Sequence, residues 1–405
     1  MKKALVISYI LLICTFSYLP KSISTICFLL YMFWAMHYVW INRKAITTTI
    51  ALDIETKKLK KSFVVFLFIS IFYFIVSFLN LPQLWNIDGL LYNVKYLPRH
   101  FVIITELFIP IALGYAISRL KVFSHLNVFI MVCLYLFLYV TNQSISIKGL
   151  LLILLSLVAW KWNSKLLMVL TFTIFYEQTA YILGSIAVVF LLFLEKYVIA
   201  FFSTHTYRKI IITLLISIIS IFLLSGIIIY YVENDANSLW RLNVWINELD
   251  SLYQTYFSGV GYGSAYVTED IEYQVENSSM YANSDKGGME TGVFLVANHS
   301  SLLNMFYRMG VAGGFAFLAI NIQLAYIVFK TYQQANKKMR NLLWRLFTVW
   351  IYETIIICLN PGLEMMQFAI SYLLSIALLL AVIIDIKKQN KSSYHETTQE
   401  LSIET

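Results

Sequence analysis

Apolar stretches long enough to cross a bilayer recur throughout this chain, and most of the loops joining them are short. A spanning helix needs about 20 apolar residues, and fewer inside a bundle. Such stretches run near 4–19, 23–41, 62–80, 101–118, 125–141, 146–160, 210–230, 310–329, 342–359 and 365–386. In lipid each backbone N–H and C=O must be satisfied without water, which leaves only helices and closed barrels. Uninterrupted apolar runs of this length specify helices, so the chain reads as an all-α polytopic membrane protein. Composition agrees: 60% of the 405 residues are hydrophobic and 13% are charged, against about 25% charge in soluble domains.

The stretch 166–194 is too long for one ordinary helix and carries Glu177 and Gln178 in its middle. Two short helices or a re-entrant hairpin would fit it. Either solution collects 23 of the 30 Lys and Arg residues on one side, from Lys2 and Lys3 to Lys387, Lys388 and Lys391. Positive loops stay in the cytoplasm. The expectation is about twelve transmembrane helices with both termini cytoplasmic. The net charge of +8 then reflects topology, not nucleic-acid binding. Cys14, Cys27, Cys133 and Cys358 all lie in apolar stretches without metal-ligand spacing and read as packing residues. Lys2 and Lys3 ahead of an apolar run resemble a signal peptide, but Phe16 to Ser22 offers no small-x-small cleavage site. A retained first helix is expected.

This orientation divides the chain into N-terminal transmembrane helices (1–231), a large external loop (232–309), C-terminal transmembrane helices (310–386) and a cytoplasmic tail (387–405). The tail is polar and is expected to be disordered. Between Val232 and Asn298 this loop holds ten acidic residues against only Arg241 and Lys286. It is also rich in Trp and Tyr, whose faces suit sugar rings as well as interfacial anchoring.

Chemistry concentrates in that loop. It opens with an amphipathic helical pattern from Ser238 to Trp245. Arg241, a cation in acidic surroundings, can offer planar bidentate binding to phosphate oxygens or an ion pair to a carboxylate such as Glu248. Next come Gly259, Gly261 and Gly263, spaced to turn the chain or to let a ligand approach the backbone. The loop closes on Asn298-His299-Ser300, followed by Gly310 and Gly313. His299 has a near-neutral pKa in its unperturbed state and is the best general base outside the membrane; a hydrogen-bonded structural role is the other reading. At 100° per residue, Gly310 and Gly313 lie about 20° and 40° from His299, so a continuous helix puts all three on one face. Arg308 then points about 180° away. Lys95, Arg99 and His100 form a second external basic cluster that could contact an anion or snorkel to the interface. The acids show no DxD or EF-hand spacing, so no metal site is read.

His299-Ser300, nine residues, Gly310, two residues and Gly313, together with the upstream Arg241-x-x-x-Trp245 and the Gly259/Gly261/Gly263 turn, resemble the O-antigen ligase/polymerase superfamily of bacterial envelope glycan assembly. The match covers about 80 residues and the topology. Ser300 stands where the family most often has Asn, Arg308 where it usually has an acid, and Phe257-Ser258 where it often has a Pro.

The resemblance implies an undecaprenyl-pyrophosphate-linked glycan donor, a bacterial inner-membrane location and no added cofactor. It implies His299 and Arg241 as catalytic residues, with Trp245, Gly259, Gly261, Gly263, Ser300, Gly310, Gly313 and Arg99 contacting substrate. Expected partners are membrane lipid, a chain-length regulator and a flippase. A polymerase, which extends another lipid-linked repeat, is the first expectation. A ligase, which transfers to lipid A core, is the second. A transporter or flippase of the lipid-linked glycan is the alternative outside the transferases, resting on the intramembrane acids Glu106, Glu177 and Glu353.

Overall fold

Runs free of proline and glycine carry three of the long helices, Ile54–Leu79, Lys337–Leu359 and Met366–Ile403. The structure, a computed structural model, describes residues 1–50, 54–79, 103, 107–141, 144–174, 179–223, 236–261, 300–360, 363 and 366–403. Among these residues every regular element is helical. The N-terminal part contributes α1 (Lys2–Tyr18), α2 (Lys21–Ile41), α3 (Arg43–Ile50) and α4 (Ile54–Leu79). Then come α5 (Phe108–Leu120), α6 (Val122–His125), α7 (Val128–Thr141) and α8 (Ile145–Lys161). A 3-10 turn (Leu166–Leu170) leads into α9 (Thr171–Ile174), followed by α10 (Thr179–Phe193), α11 (Glu195–Phe202) and α12 (Thr206–Leu223). The last four are α13 (Ala236–Gln254), α14 (Ser301–Gln334), α15 (Lys337–Leu359) and α16 (Met366–Ile403).

Among the described residues, four helices are long and apolar enough to cross a membrane: Ile23–Ile41, Ser301–Gln334, Lys337–Leu359 and Ala369–Asn390. The pair Ala180–Phe193 and Glu195–Phe202, bent by 78°, makes a fifth if counted as one broken span. Phe108–Leu120 and Val128–Thr141 are shorter apolar helices. Exposed Leu30, Phe68, Phe129 and Val140 give the outer helices the apolar surface that lipid requires.

The core is built on α8, α15 and α16. Ser146 to Trp160 of α8 is buried all round, as a helix apolar on every face must be. α16 packs on α5, α8 and α15, and α14 packs on α4 and α15. Small residues let these backbones close up, as expected where lipid tails supply no hydrophobic drive. A Cβ on Gly149, for example, would fall 2.3 Å from the Ser371 Cβ. At one end of the bundle a polar clamp joins separate helices. Lys165 pairs with Glu195 at 2.7 Å, Tyr332 donates to the same carboxylate at 2.8 Å, and the buried Arg345 donates to the Ser164 carbonyl at 3.1 Å.

Two expectations change in detail. The stretch 166–194 divides into a short 3-10/α segment ending at Ile174 and a longer helix from Thr179, with Glu177 outside the described residues. The tail is not irregular: α16 runs through it to Ile403. No glycine or proline interrupts 366–403, so helix already nucleated in the bundle propagates cheaply into the polar segment.

Candidate functional site at the kink of α14

Ser300 and Asn360 begin the site. Ser300 caps α14, its Oγ accepting from the Leu303 N–H at 3.3 Å, as a short hydroxyl side chain does at this position. Next to it, the Ser301 N–H and Oγ both donate to the Asn360 carbonyl, at 3.2 and 3.4 Å. The Leu363 N–H in turn donates to the Ser301 Oγ at 2.9 Å. The start of α14 is thereby tied to the end of α15.

Ten residues further on, α14 breaks. Gly310 has φ 61° and ψ −170° inside the helix, a region open essentially to glycine alone. An unbroken helix would pair the Tyr307 and Arg308 carbonyls with the N–H groups of residues 311 and 312. Instead the glycine-rich turn after α13 supplies the partners. The Val260 N–H donates to the Tyr307 carbonyl and the Gly261 N–H to the Arg308 carbonyl, both at 2.9 Å. The Val311 N–H donates back to the Phe257 carbonyl at 3.1 Å. Three hydrogen bonds therefore graft the turn onto the break.

The fit leaves no space for side chains at two positions. A Cβ on Gly259 would lie 2.3 Å from the Gly310 nitrogen, and one on Gly310 would lie 2.5 Å from the Phe257 carbonyl oxygen. Gly259 itself has φ 80°, and Tyr256 and Phe257 share the left-handed region. Below the break, the Met309 side chain occupies the space a Cβ on Gly313 would need. α4 braces the same joint: Tyr73 donates to the Ser258 carbonyl, and Ser70 donates to the Met309 Sδ at 3.3 Å.

Arg308 closes the joint from inside. It is 1% exposed, its Nε donating to Asn304 Oδ1 at 3.2 Å and its Nη1 to the Gly261 carbonyl at 3.3 Å. Its guanidinium also lies 5.1 Å from the Tyr307 ring centroid. Sequence reasoning set this residue aside because it assumed one continuous helix from His299 to Gly313. The break at Gly310 interrupts that helix between Arg308 and Gly313, while His299 lies outside the described residues. A cation standing where the resembled family has an acid was the available signal for Arg308.

α13 is the amphipathic helix expected from the sequence, and it packs on α14. Arg241, Val244, Trp245, Glu248 and Leu252 fall on one side of it; Val244, Glu248 and Leu252 are buried, while Arg241 and Trp245 are half-buried. Ile246, Leu249 and Tyr253 face outward. Glu248 lies within electrostatic range of Tyr307, as does Arg308. Of the residues singled out by sequence, Arg241 and Trp245 thus lie on α13, and Gly259, Gly261, Ser300, Gly310 and Gly313 lie in the turn and on α14. Arg99, Gly263 and His299 fall outside the described residues, as do Glu106 and Glu177. The division drawn at 309/310 falls on the break, with the helix itself beginning at Ser301.

Glu353 belongs to a different place. It sits seven residues, about two helical turns, from Asn360 within α15. Ser371 donates to its carboxylate at 3.0 Å, and Tyr181, Tyr352 and Gly149 line the same small void.

No family model, no curated protein and no solved structure matches this chain.

Proposed function

We propose that this protein is a membrane glycosyltransferase of the bacterial inner membrane, a polysaccharide polymerase that uses an undecaprenyl-pyrophosphate-linked glycan as donor. The observation that carries the proposal is the joint at Gly310. Motif elements about 50 residues apart in sequence, Gly259-Val260-Gly261 and Gly310, meet backbone to backbone beside α13, the helix bearing Arg241 and Trp245. Such rigid coupling of a loop to a spanning helix suits a site that must hold a lipid-borne pyrophosphate and a sugar hydroxyl together.

In the proposed reaction the hydroxyl oxygen of one lipid-linked repeat attacks the anomeric carbon of another. The bond from that carbon to the pyrophosphate oxygen breaks, and undecaprenyl pyrophosphate leaves with the bonding electrons. Arg241 pairs with the pyrophosphate as its charge develops, a role for which a guanidinium fork is suited. His299 accepts the hydroxyl proton, and the Trp245 ring offers a face for the sugar. The sugar–pyrophosphate bond supplies the driving force, so no nucleotide is consumed. About twelve crossings with both termini cytoplasmic would put this joint on the external side.

The glycan profile of a deletion strain tests the assignment. A polymerase deletion leaves core carrying a single repeat. Loss of every attached repeat with long lipid-linked polymer retained would mean a ligase. A transporter should need Glu106, Glu177 and Glu353 and tolerate His299→Ala; a transferase should show the reverse.

A further inference from the structure

A polar cavity lies at the start of α15, the end opposite Asn360. It has a volume of about 490 Å³ and opens where α5 ends, α15 begins and α16 continues past the bundle. That volume is within the ~300–1,000 Å³ of small-molecule sites. Four cations line it, Arg119, Lys121, Lys338 and Lys388, against one carboxylate, Asp385. Asp385 is already engaged: Ser118 donates to it at 2.6 Å, and Lys388 donates to the Ser118 Oγ at 3.1 Å. Lys2 and Arg119 both lie within electrostatic range of Lys388.

We propose that this cavity binds a phosphate-bearing anion, the headgroup of an anionic lipid in the adjoining leaflet. Three features point the same way. First, like charges gathered around a concave surface repel one another unless an anion sits among them. Second, α15 starts with Lys337 and Lys338 and has no acid in its first turn. Cations at a helix N-terminus oppose the macrodipole, whereas an anion there is favoured by both the dipole and the lysines. Third, Trp160 forms an amphipathic wall. Its Nε1 donates to the Lys338 carbonyl at 3.1 Å, and the Lys338 Nζ lies 5.8 Å from its ring. Topology alone explains lysines on this side of the bundle, but not their convergence on one cavity. Basic pockets between helices near the cytoplasmic surface are the places where anionic lipid headgroups bind.

The test is lipid retention by the purified full-length protein. Protein equilibrated with mixed phosphatidylglycerol and phosphatidylcholine vesicles and re-extracted in mild detergent should carry phosphatidylglycerol, counted by native mass spectrometry. The Lys121→Gln/Lys338→Gln double variant should lose most of it. The charge-matched Lys44→Gln/Arg208→Gln variant, altered at exposed sites elsewhere, should keep it. Ser124→Trp, which fills the cavity and leaves every charge in place, should lose it too and covers the case in which the double variant does not fold. Stabilisation by inorganic phosphate that also displaces the lipid would reassign the site to a soluble phosphate compound, overturning the lipid source while keeping the chemistry. Equal retention in the wild type and Ser124→Trp, or equal loss in both charge variants, would overturn the site itself.

Discussion

Arg308 shows how much a single side chain holds in place. Its guanidinium ties the Gly261 carbonyl of the turn after α13 to Asn304 of α14, at 1% exposure. Removing a charged partner from a buried hydrogen bond costs about 1.5–3 kcal/mol. Arg308→Gln should therefore lower the unfolding temperature of the purified protein and weaken glycan transfer; an unchanged melting curve would remove the positioning role. Arg241 makes a different demand, because its proposed partner is the substrate. Arg241→Lys keeps the charge and loses the planar fork, so transfer should fall about tenfold or more, as for loss of ~1.4 kcal/mol of transition-state binding. Near-normal rates in that variant would argue against pyrophosphate pairing.

Among the elements, the break in α14 is what joins the glycine-rich turn to a hydrophobic helix. Gly259→Ala and Gly310→Ala each place a Cβ within 2.5 Å of facing backbone, at positive φ. Backbone strain of this kind costs about 1–3 kcal/mol, before the contacts themselves. Both variants should give lower folded yield on size-exclusion chromatography, and recovery equal to wild type would mean the turn is not locked to the kink. The helices themselves were legible, because apolar runs fix where segments lie: α2, α7, α8 and α15 fall within a few residues of the expected spans. The amphipathic α13 was legible for the same reason. The kink was not. Helical periodicity puts Gly310 on one continuous face, since it assumes the very hydrogen bonding that this glycine interrupts. Nor could the sequence reveal that the N–H groups of Val260 and Gly261 would repair the break, since backbone donors are the same in every residue but proline.

Across the whole molecule, helix packing was less legible than the helices themselves. Lysine placement gives an expected orientation, yet helices that are apolar all round do not specify their neighbours, so the central position of α8 and α16 came from the structure. The orientation makes a direct prediction. In a variant lacking Cys14, Cys27, Cys133 and Cys358, a cysteine at Asp250 should react with a membrane-impermeant maleimide applied to spheroplasts. One at Lys338 should react only after permeabilisation. The opposite pattern would invert the protein and place the joint on the wrong side for the proposed chemistry.

The central claim is that the joint at Gly310 transfers glycan, and reconstitution tests it most directly. Wild-type protein and His299→Ala, each in lipid vesicles with a purified undecaprenyl-pyrophosphate-linked repeat, would be followed for chain length on a gel. Long chains and released undecaprenyl pyrophosphate are expected from the wild type, and an unextended repeat from a folded His299→Ala. Chains of equal length from both proteins would contradict it.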